Sequence, residues 1–284
     1  MIHGRFSGAG ITFLLILAFG AISPVSSPAQ AYKASTRVSE SDGFWEINGK
    51  ATYEGSSAEG LLIGARMVNA TFNDRNPDTC PKGFDPDKNT EAFLKSLPSY
   101  LSSGVNTILL NLQGGAPGYK GALNSAFNAD GSLRPDDLER VSRIIEACDK
   151  SGAVVVLGFF SPGQDKILKD EKAIMAATKN ACLWILNKGY SNVLAQVAEE
   201  HTSKGYHHEL ISSPAGCASL IKLARQTHPK LKVSASGLAN GRVANEVGDE
   251  GNVLFPRFNG TPLERINTMV VKLAKRSKPI FYQF

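Results

Sequence analysis

The sequence predicts an α/β fold of the (β/α)8 TIM-barrel type, incomplete, with about seven strands and an N-terminal β-hairpin. From residue 61 onward, apolar runs of strand length alternate with stretches whose apolar residues have helical spacing. The strand runs are apolar throughout, which is typical of parallel strands covered on both faces. No Gly-x-Gly-x-x-Gly or Walker loop follows the early strands, so a barrel is favoured over an open nucleotide-binding sheet.

The predicted elements follow in chain order. Residues 44–53 form a hairpin, because Asn48-Gly49 supplies the two positive-φ residues of a tight turn. The predicted strands after it are residues 61–68, 105–112, 153–160, 192–198, 231–236, 252–255 and 279–284. The helices between them show apolar residues on one face, and Gly104, Gly152 and Gly189 follow the first three as helix stops.

Proline marks three of these helices. Pro98 lies inside the first one, over residues 90–101, and is expected to kink it. Pro214, behind Ser213, is placed to open a later helix at its first position. Residues 261–264 read Thr-Pro-Leu-Glu, which predicts a capping box at the start of the last helix.

Residues 1–31 have the order of a secretory signal peptide. Arg5 precedes an apolar core at residues 11–22, and Ala29-Gln-Ala31 supplies small residues for cleavage. The core is short for a membrane span. We therefore expect a secreted or periplasmic protein without a stable membrane anchor, cleaved near Ala31, whose barrel domain covers residues 32–284. A short uncleaved anchor is the alternative.

Composition excludes some partners. The chain carries 31 Lys and Arg against 26 Asp and Glu, and this mild excess comes without a basic stripe interleaved with aromatic residues. Nucleic-acid binding is therefore not expected. The four cysteines are Cys80, Cys148, Cys182 and Cys217. No pair has metal-ligand spacing, so we interpret them as buried small hydrophobes, with disulfides as the alternative, and predict neither metal nor cofactor.

Polar residues follow the predicted strands. In a barrel the carboxyl ends of the strands surround the reaction site. The residues gathered there are Arg66, Asn69, Asn111, Gln113, Phe160, Glu199, Glu200 and Asn259. Amides and aromatic rings suit sugar hydroxyls and pyranose faces, and a carboxylic acid can protonate a glycosidic oxygen. Strand alternation predicts that only one of Glu199 and Glu200 points into the pocket. A solvated acid pair, a structural ion pair for Arg66 and a core position for one of the two phenylalanines at 159–160 are the alternatives.

Several motifs together resemble a known family. They are Phe44-Trp-Glu-Ile-Asn-Gly-Lys50 with Tyr53, Leu110-Asn-Leu-Gln-Gly-Gly115 with Pro117, Gly163-Gln-Asp165, Ala198-Glu-Glu-His201 and Tyr206-His-His-Glu209. In this order they are similar to motifs of cellulase-like bacterial glycosidases, which belong to the clan of retaining glycoside hydrolases built on a (β/α)8 barrel. The match spans most of residues 44–284. A carbohydrate substrate or ligand is implied by it.

The resemblance assigns roles to individual positions. Glu200 falls on the general acid/base glutamate, and Glu199 stands where the family has an Asn that holds the sugar 2-hydroxyl. Tyr206 and His208 match the motif that follows, while His207 replaces its Asp. Residues 279–284 read Pro-Ile-Phe-Tyr-Gln-Phe, so Gln283 and Phe284 occupy the positions of the family's seventh-strand Asn and nucleophilic Glu.

Two classes of function therefore remain open. The first is a glycoside hydrolase-like protein in which Glu200 is the general acid/base, the seventh-strand nucleophile is missing, and the barrel lacks its last unit through C-terminal truncation. The second is a non-catalytic, degenerate barrel that retains a carbohydrate cleft. A gene fragment that folds poorly is a third possibility, since an open barrel exposes strand edges.

Overall fold

A computed structural model of the chain describes residues 1, 4, 32–114 and 120–283. The predicted signal peptide, apart from Met1 and Gly4, lies outside the described residues, as do residues 115–119 of the glycine-rich loop and Phe284. Within the described ranges, none of the helices has both the length and the apolar character needed to cross a membrane.

The N-terminal hairpin is confirmed. It belongs to an antiparallel sheet of three strands: β1 (Val38–Ser41), β2 (Phe44–Ile47) and β3 (Lys50–Ala51). Asn48 and Gly49 have φ angles of 55° and 76°, as the tight turn between β2 and β3 requires. Trp45 of β2 is 1% exposed, and its Nε1 donates a hydrogen bond to the Ile280 carbonyl at 2.9 Å, which fastens the small sheet to the end of the chain.

The second sheet is parallel, as predicted. Its strands, in spatial order, are β4 (Gly64–Arg66), β5 (Thr107–Asn111), β6 (Val154–Phe160), β7 (Val193–Ala198) and β8 (Lys232–Ser234). Parallel bridges from Ser236 to Phe255, from Leu254 to Ile280 and from Arg257 to Gln283 continue it. We call residues 254–257 the sixth segment and residues 280–283 the seventh segment. With them the described chain has seven parallel segments in sequence order.

Helices alternate with these segments. They are α1 (Pro86–Ser102), α2 (Pro135–Lys150), α3 (Glu171–Lys188), α4 (Glu209–Ser212), α5 (Pro214–Thr227), α6 (Asn245–Glu250) and α7 (Leu263–Ala274). Helix α1 starts four residues before the predicted helix, because Asp85 caps it by accepting hydrogen bonds from the Asp87 and Lys88 amides. The predicted capping box of α7 is wrong: α7 begins at Leu263, and no side chain caps it.

The core explains why the strands are apolar throughout. All seven residues of β6 are buried. One cluster lies between the sheet and the helices and includes Ile108, Val155 and Ile144. A second cluster brings Leu109, Val156, Leu194, Phe255 and Phe281 together with Trp45, so residues of five parallel segments meet on the other face of the sheet. Each such aliphatic side chain contributes about 1.5–3 kcal/mol by leaving water.

A seam separates the two ends of the parallel sheet. Among the described residues, β4 pairs with β5 only, and the seventh segment pairs with the sixth. The Phe281 ring nevertheless reaches Gly64, where a Cβ would lie 2.8 Å from the ring carbon Cζ. A cavity of about 490 Å³ opens at this seam, and its mostly apolar walls include Leu61, Ile63 and Val270 together with Arg66. The two sheet ends are therefore close in space without being hydrogen-bonded.

Candidate functional site

Glu199 lies at the centre of the strand ends. It follows β7 directly, and its amide donates to the Phe160 carbonyl at 3.0 Å, which extends the pairing with β6 by one residue. Its side chain is only 9% exposed. A carboxylate at this depth needs partners to offset its loss of hydration.

Two arginines supply that compensation. Arg66 Nη2 lies 2.5 Å from Glu199 Oε1, and Arg257 Nη1 lies 2.7 Å from the same oxygen. Arg66 ends β4, the first parallel strand, and Arg257 ends the sixth segment. Because both reach one carboxylate at the end of β7, the sheet must curl strongly, as the strands of a barrel do.

The second carboxylate oxygen faces neutral donors. Asn111 Nδ2 lies 3.1 Å from Glu199 Oε2, and Ser161 Oγ lies 3.4 Å from it. Burial alone would raise the pKa of Glu199, but the two arginines outweigh burial and hold that pKa below its ordinary value. Glu199 is therefore an anion and a hydrogen-bond acceptor at neutral pH, not a proton donor.

Glu200 has a different environment. Its φ of 48° ends the extended backbone, and its amide donates to Ser236 Oγ at 3.0 Å. Its Oε1 lies 3.4 Å from Arg257 Nη1, and the side chain is 29% exposed. Both adjacent glutamates thus reach one guanidinium, contrary to the alternation expected from the sequence, because the left-handed residue interrupts the strand geometry.

Four predicted contact residues are buried in supporting positions. Tyr206 Oη lies 2.6 Å from the Glu199 carbonyl, and burial raises the pKa of Tyr206 well above its ordinary value. Phe160 is fully buried and packs against Phe127 in the core. Gln113 Nε2 donates to the Gln164 carbonyl, and Gln283 Nε2 donates to Gln196 Oε1 at 2.8 Å. These side chains hold the loops and the interior of the barrel.

The other predicted residues lie nearer the surface. His208 Nδ1 is 3.0 Å from Asp165 Oδ2, and the His208 side chain is 18% exposed. Asn259 is exposed, and its Oδ1 accepts a long hydrogen bond of 3.4 Å from Arg257 Nε. Asn69 is half-buried, and its Oδ1 has no hydrogen-bond partner among the described residues.

Sequence reasoning missed three residues of this site. Arg257 stood at a recognised strand end, but Asn259 was preferred there. Ser161 directly follows β6. Asp165 is 0% exposed, and its Oδ2 accepts hydrogen bonds from the backbone amides of both His207 and His208. A rule that every polar residue within two positions of a strand end is a candidate would have found Arg257 and Ser161. Within the described ranges, no three His, Cys, Asp or Glu side chains gather as a metal site.

Comparisons with known proteins agree with this architecture. No protein-family model matches the sequence, and no curated protein does. Among solved structures, a Bacteroides vulgatus protein provisionally assigned as a glycoside hydrolase is 11% identical with a TM-score of 0.61, over 87% of this chain and 47% of that one. An endoglucanase from Pseudomonas stutzeri is 14% identical with a TM-score of 0.54, over 82% and 78% of the two chains.

A third structure, described as a glycoside hydrolase, is 13% identical with a TM-score of 0.52, over 78% of this chain and 76% of the other. This chain thus spans less than half of the Bacteroides vulgatus protein but about three quarters of the other two. Because all three identities are below 25%, these matches show a shared fold and nothing about function. The protein has the TIM-barrel-like α/β fold of the cellulase-like glycoside hydrolases.

Proposed function

We propose that the protein binds a poly- or oligosaccharide across the carboxyl ends of its parallel strands, with weak or absent hydrolysis. The observation that carries this proposal is the charged cluster around Glu199. It places charged and amide groups of four segments at the end of the barrel where enzymes of this architecture hold substrates. Among the side chains of this cluster, Arg66, Glu200 and Asn259 are accessible to solvent and therefore to a ligand.

Hydrolysis with retention needs two free carboxyl groups about 5–5.5 Å apart. Glu200 is our candidate for the proton donor, because it is partly exposed at a strand end. Its neighbour Glu199 is occupied by two arginines, and Gln283 stands at the end of the seventh segment. Neither residue offers a free nucleophilic carboxylate. Binding without efficient turnover is therefore the function that the site supports best.

Glycoside hydrolysis through Glu200 is the second candidate. The left-handed backbone at Glu200 favours it, because such a conformation costs about 1–2 kcal/mol in a non-glycine residue and is characteristic of functional sites.

Titration calorimetry with cello-, manno- and xylo-oligosaccharides tests binding, and release of nitrophenol from aryl glycosides tests turnover. We expect at least one oligosaccharide to bind, and any turnover to fall by about 10²–10⁴-fold in Glu200→Gln while binding persists. Glu139→Gln, at an exposed glutamate of α2 outside these motifs, is the control and should change neither quantity. If no oligosaccharide binds, the proposed function is wrong. Full turnover in Glu200→Gln would exclude Glu200 as the acid.

A further inference from the structure

The cavity at the seam has an inner wall that is already formed in the protein. Its volume, about 490 Å³, is in the range of ordinary small-molecule sites. Leu109 and Phe281 line it and are only 4% and 2% exposed, so core packing holds these side chains in place. Gly64 has no Cβ to displace the Phe281 ring, because such an atom would lie 2.8 Å from the ring carbon Cζ. A ligand therefore meets a preformed surface, and little has to be ordered when it binds.

Other walls of the cavity are apolar and accessible from solvent. Leu61 and Ile63 are 41% and 39% exposed, and Ile266 and Val270 of α7 are half-buried. Apolar side chains that remain exposed around a concave surface are typical of an interaction site. These walls offer aliphatic groups without hydrogen-bonding atoms. They suit an alkyl chain, which needs no hydrogen-bond partner when it leaves water.

Arg66 connects this cavity to the charged cluster around Glu199. Among the described residues that line the cavity, Arg66 carries the only charge, and its Nη2 lies 2.5 Å from Glu199 Oε1. The Arg66 side chain is 33% exposed. A guanidinium has five N–H donors, so donors remain for the hydroxyl groups of a bound sugar. A sugar held by Arg66 at the strand ends therefore has an apolar cavity beside it.

We propose that the seam cavity binds the apolar aglycone of a glycoside whose sugar lies at the charged cluster. The aglycone is an alkyl chain, since the walls are mostly aliphatic, and Arg66 contacts the sugar to which the chain is attached. This inference rests on the proposed function and narrows its ligand to a saccharide that carries an alkyl group.

Calorimetry with a series of alkyl glycosides tests the inference. The probes are methyl, butyl, hexyl and octyl β-glucosides and β-mannosides, each below its micelle concentration. Full burial of one methylene group strengthens binding about fourfold, so we expect an increase of about two- to fourfold for each methylene added. Octyldimethylamine oxide, which has the same tail without a sugar, should bind more weakly than the octyl glycosides.

Two adjacent residues of α7 supply matched variants. Val270 lines the cavity, whereas Val271 does not line it and is 61% exposed. Val270→Asp should remove most of the dependence on chain length, because the alkyl chain would then meet a carboxylate, and Val271→Asp should keep it. Ile63→Asp is a second cavity variant, at a residue exposed enough to accept a polar side chain. Circular dichroism verifies that each variant is folded.

The outcomes separate this inference from the proposed function. Equal affinities along the series, or a chain-length dependence that both cavity variants keep, would overturn the aglycone site, while binding of oligosaccharides would leave the proposed function standing. Octyldimethylamine oxide binding as tightly as the octyl glycosides would also overturn it, since the cavity would then take a lipid without a sugar.

Two further results bear on the occupant of the seam. A dimer in sedimentation velocity that Val270→Asp dissociates would mean that a second copy of the chain covers the seam, and the inference would be wrong. Chain-length-dependent binding of octyl glycosides without binding of any unmodified oligosaccharide would support the aglycone site and overturn the proposed oligosaccharide ligand.

Discussion

Replacing Glu199 by Gln is the sharpest test of the charged cluster. The variant keeps the shape of the side chain but removes the charge that both arginines face. Removing one partner of a buried ion pair costs about 3–5 kcal/mol. The Arg66 side chain is 33% exposed, so solvent screening reduces the contribution of its ion pair to stability, and Glu200 remains 3.4 Å from Arg257 as a second partner. We therefore expect a loss of about 2–4 kcal/mol in the free energy of unfolding.

Thermal unfolding followed by circular dichroism measures this loss. For a domain of this size the melting temperature should fall by about 5–15 °C. Glu200→Gln is the matched control and should cost under about 1 kcal/mol, since its charge is 29% exposed with one long contact. If Glu199→Gln melts within about 1 °C of the wild type, Glu199 does not balance the two arginines, and the reasoning about the site fails.

The same variant has a pH signature. The folded-state pKa of Glu199 is lower than its ordinary value of 4.5, so its stabilising effect is present above pH 4.5 and disappears as pH falls through the lower, folded value. Wild-type stability should therefore drop in this acidic range more steeply than that of Glu199→Gln. Parallel curves for the two proteins would contradict the assignment of this shift.

Two further predictions concern the core and the seam. All four cysteines are free, and burial raises the pKa of Cys148, Cys182 and Cys217 to about 12. Ellman's reagent should therefore label Cys80 alone in the native protein at pH 8, and all four thiols after unfolding. Labelling of fewer than four thiols in the unfolded chain would reveal a disulfide. Gly64→Ala should destabilise by about 1–3 kcal/mol in urea titrations because its Cβ would lie 2.8 Å from both Phe281 Cζ and Leu109 Cδ1, and Phe281→Leu in the same chain should recover part of the loss; an unaffected midpoint would mean that these two side chains move aside at little cost.

The order of strands and helices could be predicted from the sequence, because strands buried on both faces are apolar at nearly every position. The run of residues 153–160 is apolar at almost every position, and all seven predicted strands overlap the parallel segments in the order expected. The first of them was overestimated, as eight residues were predicted and only Gly64–Arg66 pair. Its flanks, Leu61 and Ile63, are apolar but exposed at the seam, and the hydrophobic pattern does not distinguish such residues from a paired strand.

The site was harder to predict, because its geometry depends on contacts far apart in sequence. Strand ends identified Arg66, Asn111 and both glutamates. Nothing local indicated that Arg257, many residues later, would lie 2.7 Å from Glu199. Nor did the sequence reveal the left-handed backbone of Glu200, since glutamate is not a residue that favours positive φ.

The ion pairs of Glu199 with Arg66 and Arg257 suggest a reason why position 199 holds Glu rather than the Asn of the resembling family. The resemblance implies an Asn there, and a neutral amide would leave Arg66 without its carboxylate partner and Arg257 with only the longer contact to Glu200. Repulsion between two guanidiniums, one of them 8% exposed, would then oppose folding. Glu199 and Arg257 are a matched pair, because each buried charge compensates the desolvation of the other. Under the proposed function, a site whose central carboxylate is committed to its two arginines has Glu200 as the candidate for any proton transfer, and for this reason we propose binding rather than hydrolysis.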